Sequence, residues 1–486
     1  MNTRGISQRV LMGVCLLAVV FGSVRAGAAE LLAIEVVNPN PVLLSPEGEV
    51  IAPDTTEAVD RLSGSLPACS GVVADGLSLL LLRVHTSNAV TFSVPSRFGR
   101  LRDLSVTGQN QSVITVVPRQ ASDGTWWAFG LYLAPDLVPG AAVRRTFSIS
   151  AREESRTGIA PLHLENPPVL LVHGLWSNYS TWNRLRDYLK LRGFRICEDA
   201  NCTVNYGPTQ PAPPFDPLEA PQNQFAINLL IRATTNTLNA LRAQGIAATQ
   251  VDVVAHSLGG LLARSRVVLP DAERAYRRRE NYQRGYFHKL ITIGTPHRGT
   301  AVADFLVANR AARSFFLGGT LEEYLAASGR PIGPALTQMQ TLSPALRNLG
   351  VTAGVPAHAI VGIAPVTSGT EKLLDSLPDA LGLSVTVDQL LGGNGRHDTL
   401  VSRTSEAGGL AGAAVTVVRG VVHTDIDVRD TDETESAFIG RRIAQLLRAP
   451  SLGRLFGEFP AFETNSAASI AQPLPGRTEN RFEPQH

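Results

Sequence analysis

Six short runs after residue 165 constrain the fold more than anything else in this chain. They are VLLVHG (169–174), FRICED (194–199), VDVVAHS (251–257), LITIGTP (290–296), HAIVGIA (358–364) and AVTVVRG (414–420). Helical patterns separate them: TWNRLRDYLKLRG (181–193), a long helix across 221–244, a helix from Leu258 to Pro270, and a closing ESAFIGRRIAQLLR (435–448). Runs of Val, Ile and Leu this short read as buried strands, and strands alternating with helices imply a parallel sheet covered on both faces. Residues 30–160 read differently. LLAIEVV, SLLLLRVHT, AVTFSVP, SVITVVP, TWWAFGLYLAP and VRRTFSISA are strand-like, divided by Gly, Pro, Asn and Asp, with no helical pattern between them. Regular short strands of this kind suggest a smaller all-β, sandwich-like domain, expected to serve in packing or positioning.

The ends add two expectations. Arg4 and Arg9 precede the apolar VLMGVCLLAVVFG (10–22), and SVRAGAAE offers small residues for cleavage after Ala28. That pattern is a signal peptide over 1–28, implying export to the periplasm or the medium. The polar, Pro-rich stretch 449–486 is expected to be a disordered tail. The expected layout is therefore signal peptide 1–28, β-sandwich-like domain 30–160, α/β domain 161–448 and tail 449–486.

Within the sheet, VDVVAHSLGGLLAR (251–264) places Ser257 where a buried strand turns sharply into a helix. Serine favours neither element, so propensity does not explain it. A serine at the apex of a strand–turn–helix is a nucleophile elbow, which needs minimal side chains two residues before and two after. Gly259 meets that need, and Ala255 stands where glycine is usual. Serine requires a base, and the base an orienting acid, following in the order Ser, Asp or Glu, His. His423, between the last strand and the last helix, fits the base, with His297 its rival. Asp398, in GGNGRHDTLVS, fits the acid, with Asp388 its rival. Oxyanion donors are expected from the backbone N–H groups of Leu258 and, in the HGLW loop, Leu175. His173, Gly174, His256 and Gly259 are expected to support these loops.

PPVLLVHGLW, VDVVAHSLGGLLAR, GTPHRGT, HDTLVS and VHTDI resemble the lipase branch of the α/β-hydrolase superfamily over about residues 165–448. That branch includes bacterial triacylglycerol lipases, lecithin–cholesterol acyltransferase-like enzymes and GPI inositol-deacylase-like proteins. The resemblance implies an α/β-hydrolase fold, Ser257 as nucleophile, Asp398 and His423 as its partners, and Leu175 and Leu258 as oxyanion donors. Ala255 and the HDTLV sequence depart from the family pattern. The expected function is hydrolysis of carboxylic esters, with lipid or other hydrophobic esters as substrates. Transfer of the acyl group to an alcohol is an alternative, and a catalytically inactive surface-binding protein is another.

The connection 300–357 holds Phe305, Phe315, Phe316, Leu321 and Leu325, equally suited to a helical lid or to core packing. The arginine- and tyrosine-rich 271–289 is expected at the N-terminal edge of the sheet as a solvated face able to touch a membrane or cell-envelope surface. A formal net charge of +2 gives no argument for nucleic acid, and none is expected as a partner. No His/carboxylate cluster shows metal spacing and no phosphate loop or GxGxxG follows a strand, so no metal and no cofactor are expected. Cys197 and Cys202 could close a disulfide loop or begin a metal site, although no further ligands lie near them in sequence. Cys69 is expected to be a buried thiol.

Overall fold

The computed structural model describes residues 31–463 apart from 105–109, 155, 208–213, 217–224, 270–275, 427–428, 453–455 and 457–461. The expected signal peptide and most of the expected tail lie outside the described residues.

The first part of the chain supplies ten strands: β1 (Glu35–Val37), β2 (Gly71–Val73), β3 (Leu79–His85), β4 (Val90–Ser93), β5 (Arg100–Asp103), β6 (Val113–Val116), β7 (Arg119–Gln120), β8 (Trp126–Leu133), β9 (Arg144–Glu153) and β10 (Arg156–Glu165). One sheet runs β1-β3-β8-β5, with β7 also on β8; the other runs β12-β2-β10-β9-β4-β6, where β12 (Ile246–Ala247) arrives from much later in the chain. Period-two alternation turns Phe147, Ile149 and Ala151 of β9 inward, where they meet Leu80, Leu82 and Tyr132 of the facing sheet in one core. All six runs expected as strands carry one. Sequence reading missed β10, whose polar and Pro-containing RTGIAPLHLE pairs with β9 along its whole length. It also missed a helix, α1 (Thr56–Ser63), capped by the Thr55 side chain and buried through Val59 and Leu62.

A third, wholly parallel sheet follows: β11 (Val169–Val172), β13 (Val251–His256), β14 (Phe287–Ile293), β17 (Ala357–Ile363), β18 (Ala414–Arg419) and β19 (Phe462–Glu463), in that spatial order. A two-strand hairpin, β15 (Arg313–Ser314) and β16 (Gly319–Thr320), lies outside it. Alternate residues face opposite layers. Leu170, Val172, Val253 and Ala255 meet α3 (Phe225–Arg242) and α4 (Leu258–Val268). Val169, Leu171 and Val254 meet α2 (Asn183–Leu191) and the helix Ala437–Leu447. Truncating one such contact, Leu261→Ala in α4, would cost about 2–5 kcal/mol of stability.

The expected strand FRICED does not form. Phe194 and Ile196 instead pack on the layer beneath α2, and Cys197 is disulfide-bonded to Cys202. Cys69 is a free thiol, half-buried rather than buried, and its burial pushes it up to about 11. Of the tail, Ser451 is held by Asp136 and Phe456 is buried among residues of the sheet.

The β-rich region joins the N-terminal edge of the parallel sheet. Asp75 accepts the backbone N–H groups of Ser78, Thr249 and Gln250, and β12 extends the β2 side. Of segment 271–289, the described residues 276–289 take part in this joint rather than forming a purely solvated face. Its arginines 277, 278, 279 and 284 are exposed, but Tyr276, Asn281 and Tyr286 are buried and Asn40 donates to the Glu280 carbonyl.

Candidate active site

Ser257 sits between β13 and α4 with φ 52° and ψ −127°, a left-handed conformation that costs a non-glycine residue energy. The surrounding packing holds it there. Its N–H donates to the Ile293 carbonyl of β14. A Cβ on Gly259 would come within 2.5 Å of the Val172 carbonyl oxygen and 2.7 Å of that of His173. One on Gly260 would lie 2.2 Å from Thr295 Oγ1. Ala255, by contrast, is fully buried with its methyl in the core, so the position usually held by glycine has room for one carbon.

The fold brings Ser257, His423 and Asp398 into line although they are far apart in sequence. Ser257 Oγ lies 2.8 Å from His423 Nε2, and His423 Nδ1 lies 2.5 Å from Asp398 Oδ2. Asp398 Oδ1 accepts the N–H groups of Leu400 and Val401, and its main-chain carbonyl accepts the His423 N–H at 2.7 Å. These bonds fuse the Asp398 and His423 loops. Thr399, next to Asp398, takes φ 91°, so backbone strain is concentrated here as well. Burial disfavours charge on His423, but the Asp398 carboxylate, by charge and hydrogen bond, outweighs it with help from Asp432 and holds the imidazole above its ordinary value.

The HGLW loop packs directly against this centre. A Cβ on Gly174 would lie 2.7 Å from Ser257 Cβ, so only glycine lets the loop approach. His173 is buried, which lowers it to about 4 and keeps it neutral. Its Nε2 accepts the Tyr206 N–H at 3.2 Å, leaving Nδ1 to donate to the Gly174 carbonyl at 2.9 Å. The Tyr206 hydroxyl donates to the His173 carbonyl. Leu175 is the next residue, and Leu258 opens α4, whose first-turn N–H groups lack helical acceptors.

Neither rival joins the line. Arg264 and Thr292 occupy the two ring nitrogens of His297, each at 3.1 Å. Asp388 instead accepts from His397 and from the Gly395 N–H. His256 is not the partner of Ser257 Oγ, which His423 Nε2 takes. The His256 ring lies 4.6 Å from that of His423 and edge-on to Trp182.

Sequence reading missed two buried carboxyl groups. Glu433 and Glu406 gather with Asp398, their oxygens within 4.8 Å of one another, and His256, His423 and Glu433 form a second such group. Metal-ligand atoms are thus brought together although the sequence spacing gave no sign of it. Asp398 Oδ2 and His423 Nδ1 are, however, already bonded to each other. The available signal was glycine. A Cβ on Gly362 would fall 1.9 Å from Glu433 Oε1, and one on Gly294 2.1 Å from Glu433 Oε2.

The 300–357 connection serves core packing only in part. Phe305, Leu321 and Leu325 are core residues, whereas Phe315 and Phe316 stand 96% and 84% exposed at the β15–β16 turn. Trp176 of the HGLW loop donates to the Pro331 carbonyl of this connection. A cavity of about 450 Å³ lies elsewhere, at the joint, lined by Asn38, Cys69, Leu238, Arg242 and Tyr286 among others. Among the described residues no helix is long and apolar enough to cross a membrane.

A family model described as "Alpha/beta hydrolase family" matches residues 169–425. Similar solved structures include a Bacillus licheniformis lipase in its propeptide form, 16% identical, covering 58% of this chain and 50% of that one, with a TM-score of 0.34. Phospholipase PlaB from Legionella pneumophila is 15% identical, with coverages of 59% and 60% and a TM-score of 0.33. Lipase 1 from Pelosinus fermentans is 15% identical, with coverages of 58% and 98% and a TM-score of 0.36. The chain thus spans 50% of the first structure and 60% of the second. No curated protein matches the sequence.

Proposed function

The chain belongs to the alpha/beta hydrolase family, matched over more than half its length, and from that premise we propose that it is an exported serine hydrolase cleaving carboxylic esters with hydrophobic acyl groups. One observation carries the reading: a hydroxyl, an imidazole and a carboxylate in hydrogen-bonded series, at 2.8 and 2.5 Å, with the hydroxyl on a strained elbow.

In this reading Ser257 Oγ attacks the acyl carbon while its proton passes to His423 Nε2. The negative oxygen of the tetrahedral intermediate is met by the Leu258 and Leu175 N–H groups, each worth about 10²–10³ in rate. The carbon–oxygen bond to the alcohol breaks as His423 returns the proton to the leaving oxygen. Water then attacks the acyl-enzyme by the same proton path. Asp398 stays ionised throughout and orients the imidazole. The hydrophobic acyl preference is supported by Leu175 and Trp176, which pack on the core beside Ser257, and by the exposed Phe315 and Phe316. Export rests on residues 1–28, and the β-rich region is read as a positioning module.

The test is labelling with a fluorophosphonate probe, wild type beside Ser257→Ala, followed by hydrolysis of an acyl-ester series. Wild type labels and hydrolyses, and Ser257→Ala does neither. A folded wild type that resists the probe even in detergent would end this reading in favour of a binding protein. Ester products formed with an added lipid alcohol would redirect it to acyl transfer.

A further inference from the structure

Beneath the proposed triad lies a carboxyl group that the mechanism above does not use. Glu433 is fully buried, and neither of its oxygens has a hydrogen-bond donor among the described residues. Its Oε2 faces His256 Nε2 at 3.5 Å, another buried polar atom without a partner, and lies 3.9 Å from His423 Nδ1. Space for it is specified in the sequence, since Gly294 and Gly362, at the ends of β14 and β17, leave the volume that the carboxyl fills. The other titratable groups facing this pocket are Asp398, Glu406 and Asp432.

We propose that Glu433 is a positioning residue of the site, holding a proton at its carboxyl and presenting it to His256 Nε2, so that Asp398 is the one ionised carboxylate beside His423. Two orphan atoms that face each other are both satisfied by a single proton between them. The donors are distributed accordingly. Asp398 takes two backbone N–H groups and the His423 ring, whereas Glu406 takes one, the Gly362 N–H, which also faces Glu433 without making a bond to it. Three carboxylates so close in a buried pocket cannot all ionise, and the charge settles where the donors are. Burial and the neighbouring Asp398 and Asp432 charges push Glu433 well above the usual carboxylate range, while burial keeps His256 neutral, its Nε2 free to accept. His256, tilted against the His423 ring and bonded to its backbone, is thereby fixed as the wall that keeps the imidazole aimed at Ser257.

The proposal rests on the triad reading, and the experiment separates the two. The kcat/KM of wild type, Glu433→Gln and Glu433→Ala is followed against pH with a soluble acyl ester. Glutamine keeps a donor without charge, so the midpoint of the acid limb should stay within about 0.3 pH units, with a rate loss of about tenfold or less. Alanine should lose about 10²-fold, and glutamine therefore rescues it. A fall of about one pH unit or more in Glu433→Gln overturns the proposal, because it reveals a carboxylate charge that had stabilised the imidazolium. Chelator-sensitive activity that calcium restores also overturns it, since a cation among these oxygens leaves no proton there. Infrared spectroscopy at pH 9 of folded wild type beside Glu433→Gln reads the proton without turnover. A protonated-carboxyl band that vanishes on unfolding, and that loses the Glu433 share of its intensity in Glu433→Gln while Glu406 keeps its own, is expected. A band absent from wild type, or unchanged in Glu433→Gln, overturns the proposal even in an active enzyme. A band in a chain that fails to label with fluorophosphonate counts against the triad reading alone.

Discussion

Strand β13 has a buried histidine–carboxylate system at each end, and the two are put to different ends. At its C-terminal end, His423 gives one ring nitrogen to Asp398 and turns the other to the Ser257 hydroxyl. At its N-terminal end, His288 sets Nδ1 against Asp252 and Nε2 against Asp136, both at 2.8 Å. Two acceptors require both nitrogens to donate, so His288 is an imidazolium held on both sides. It ties the parallel sheet to the β-rich region, since Asp136 precedes β9 and also takes the Ser451 N–H and hydroxyl. The pair of residues is the same. In the proposed function, what the second nitrogen meets decides whether the result is chemistry or a joint: a hydroxyl can surrender its proton to it, a carboxylate cannot.

The sharpest way to break this comparison is to change the acid at each end. Asp398→Asn keeps the shape but removes the charge that orients and stabilises the imidazolium, and kcat/KM should fall about 10⁴-fold with the thermal midpoint little changed. Asp252→Ala leaves a buried imidazolium half-compensated, and should cost about 3–5 kcal/mol in denaturant unfolding while kcat/KM stays within about threefold. If Asp252→Ala removes activity from a chain that is still folded, the two ends are coupled and the division of roles fails.

A smaller effect distinguishes the ends by pH. Burial opposes charge on His288, but the Asp252 and Asp136 carboxylates outweigh it and raise its pKa. A group raised on folding stabilises fully below its unfolded value, about 6.5, and the contribution is lost as pH rises through the folded value. The thermal midpoint should therefore decline above about pH 6.5, and more gently in His288→Gln. Each pH unit by which folding raises the imidazole is worth about 1.4 kcal/mol, and the glutamine variant forgoes that contribution. His423 contributes a slope of the same sign to stability, which the His288 variant leaves in place. In the proposed mechanism activity runs the other way, because only neutral His423 accepts the Ser257 proton. It rises with pH through the raised His423 value, in the range where the joint weakens. Parallel scans of initial rate and thermal midpoint against pH check both slopes.

Most of the parallel sheet was legible because each strand is buried on both faces and so reads as a run of apolar residues. That Ser257, Asp398 and His423 come together was legible because chain order and loop position restrict the choice. FRICED misled because Phe194 and Ile196 are apolar for packing in a loop that a disulfide closes, not for pairing. Strand β10 was hidden by a proline and alternating polar residues, though its register on β9 is unbroken from Arg156 to Glu165. Glu433 and Glu406 were invisible for a different reason. Buried carboxyls carry no local pattern, and they are drawn together only when β14, β17 and the loop after His423 converge. The N-terminal joint was likewise unreadable, since Asp136, Asp252, His288 and Ser451 meet only through the assembled sheets.

Ala255 gives the smallest test and the one most specific to the elbow. It lies three residues from Asp252 on β13, yet its environment belongs to the C-terminal end, with Val172 and Thr292 as its register partners. If the family's usual glycine serves only to relieve crowding at the turn, this chain has already found room for a methyl, which is fully buried in the core. Ala255→Gly should then lower stability by about 0.5–1 kcal/mol, through backbone entropy and lost packing, and change kcat/KM by less than about twofold. A substantially faster Ala255→Gly enzyme would mean that the methyl holds Ser257 away from its best angle. The strain at φ 52° would then be partly a cost of alanine, rather than wholly a property of the turn.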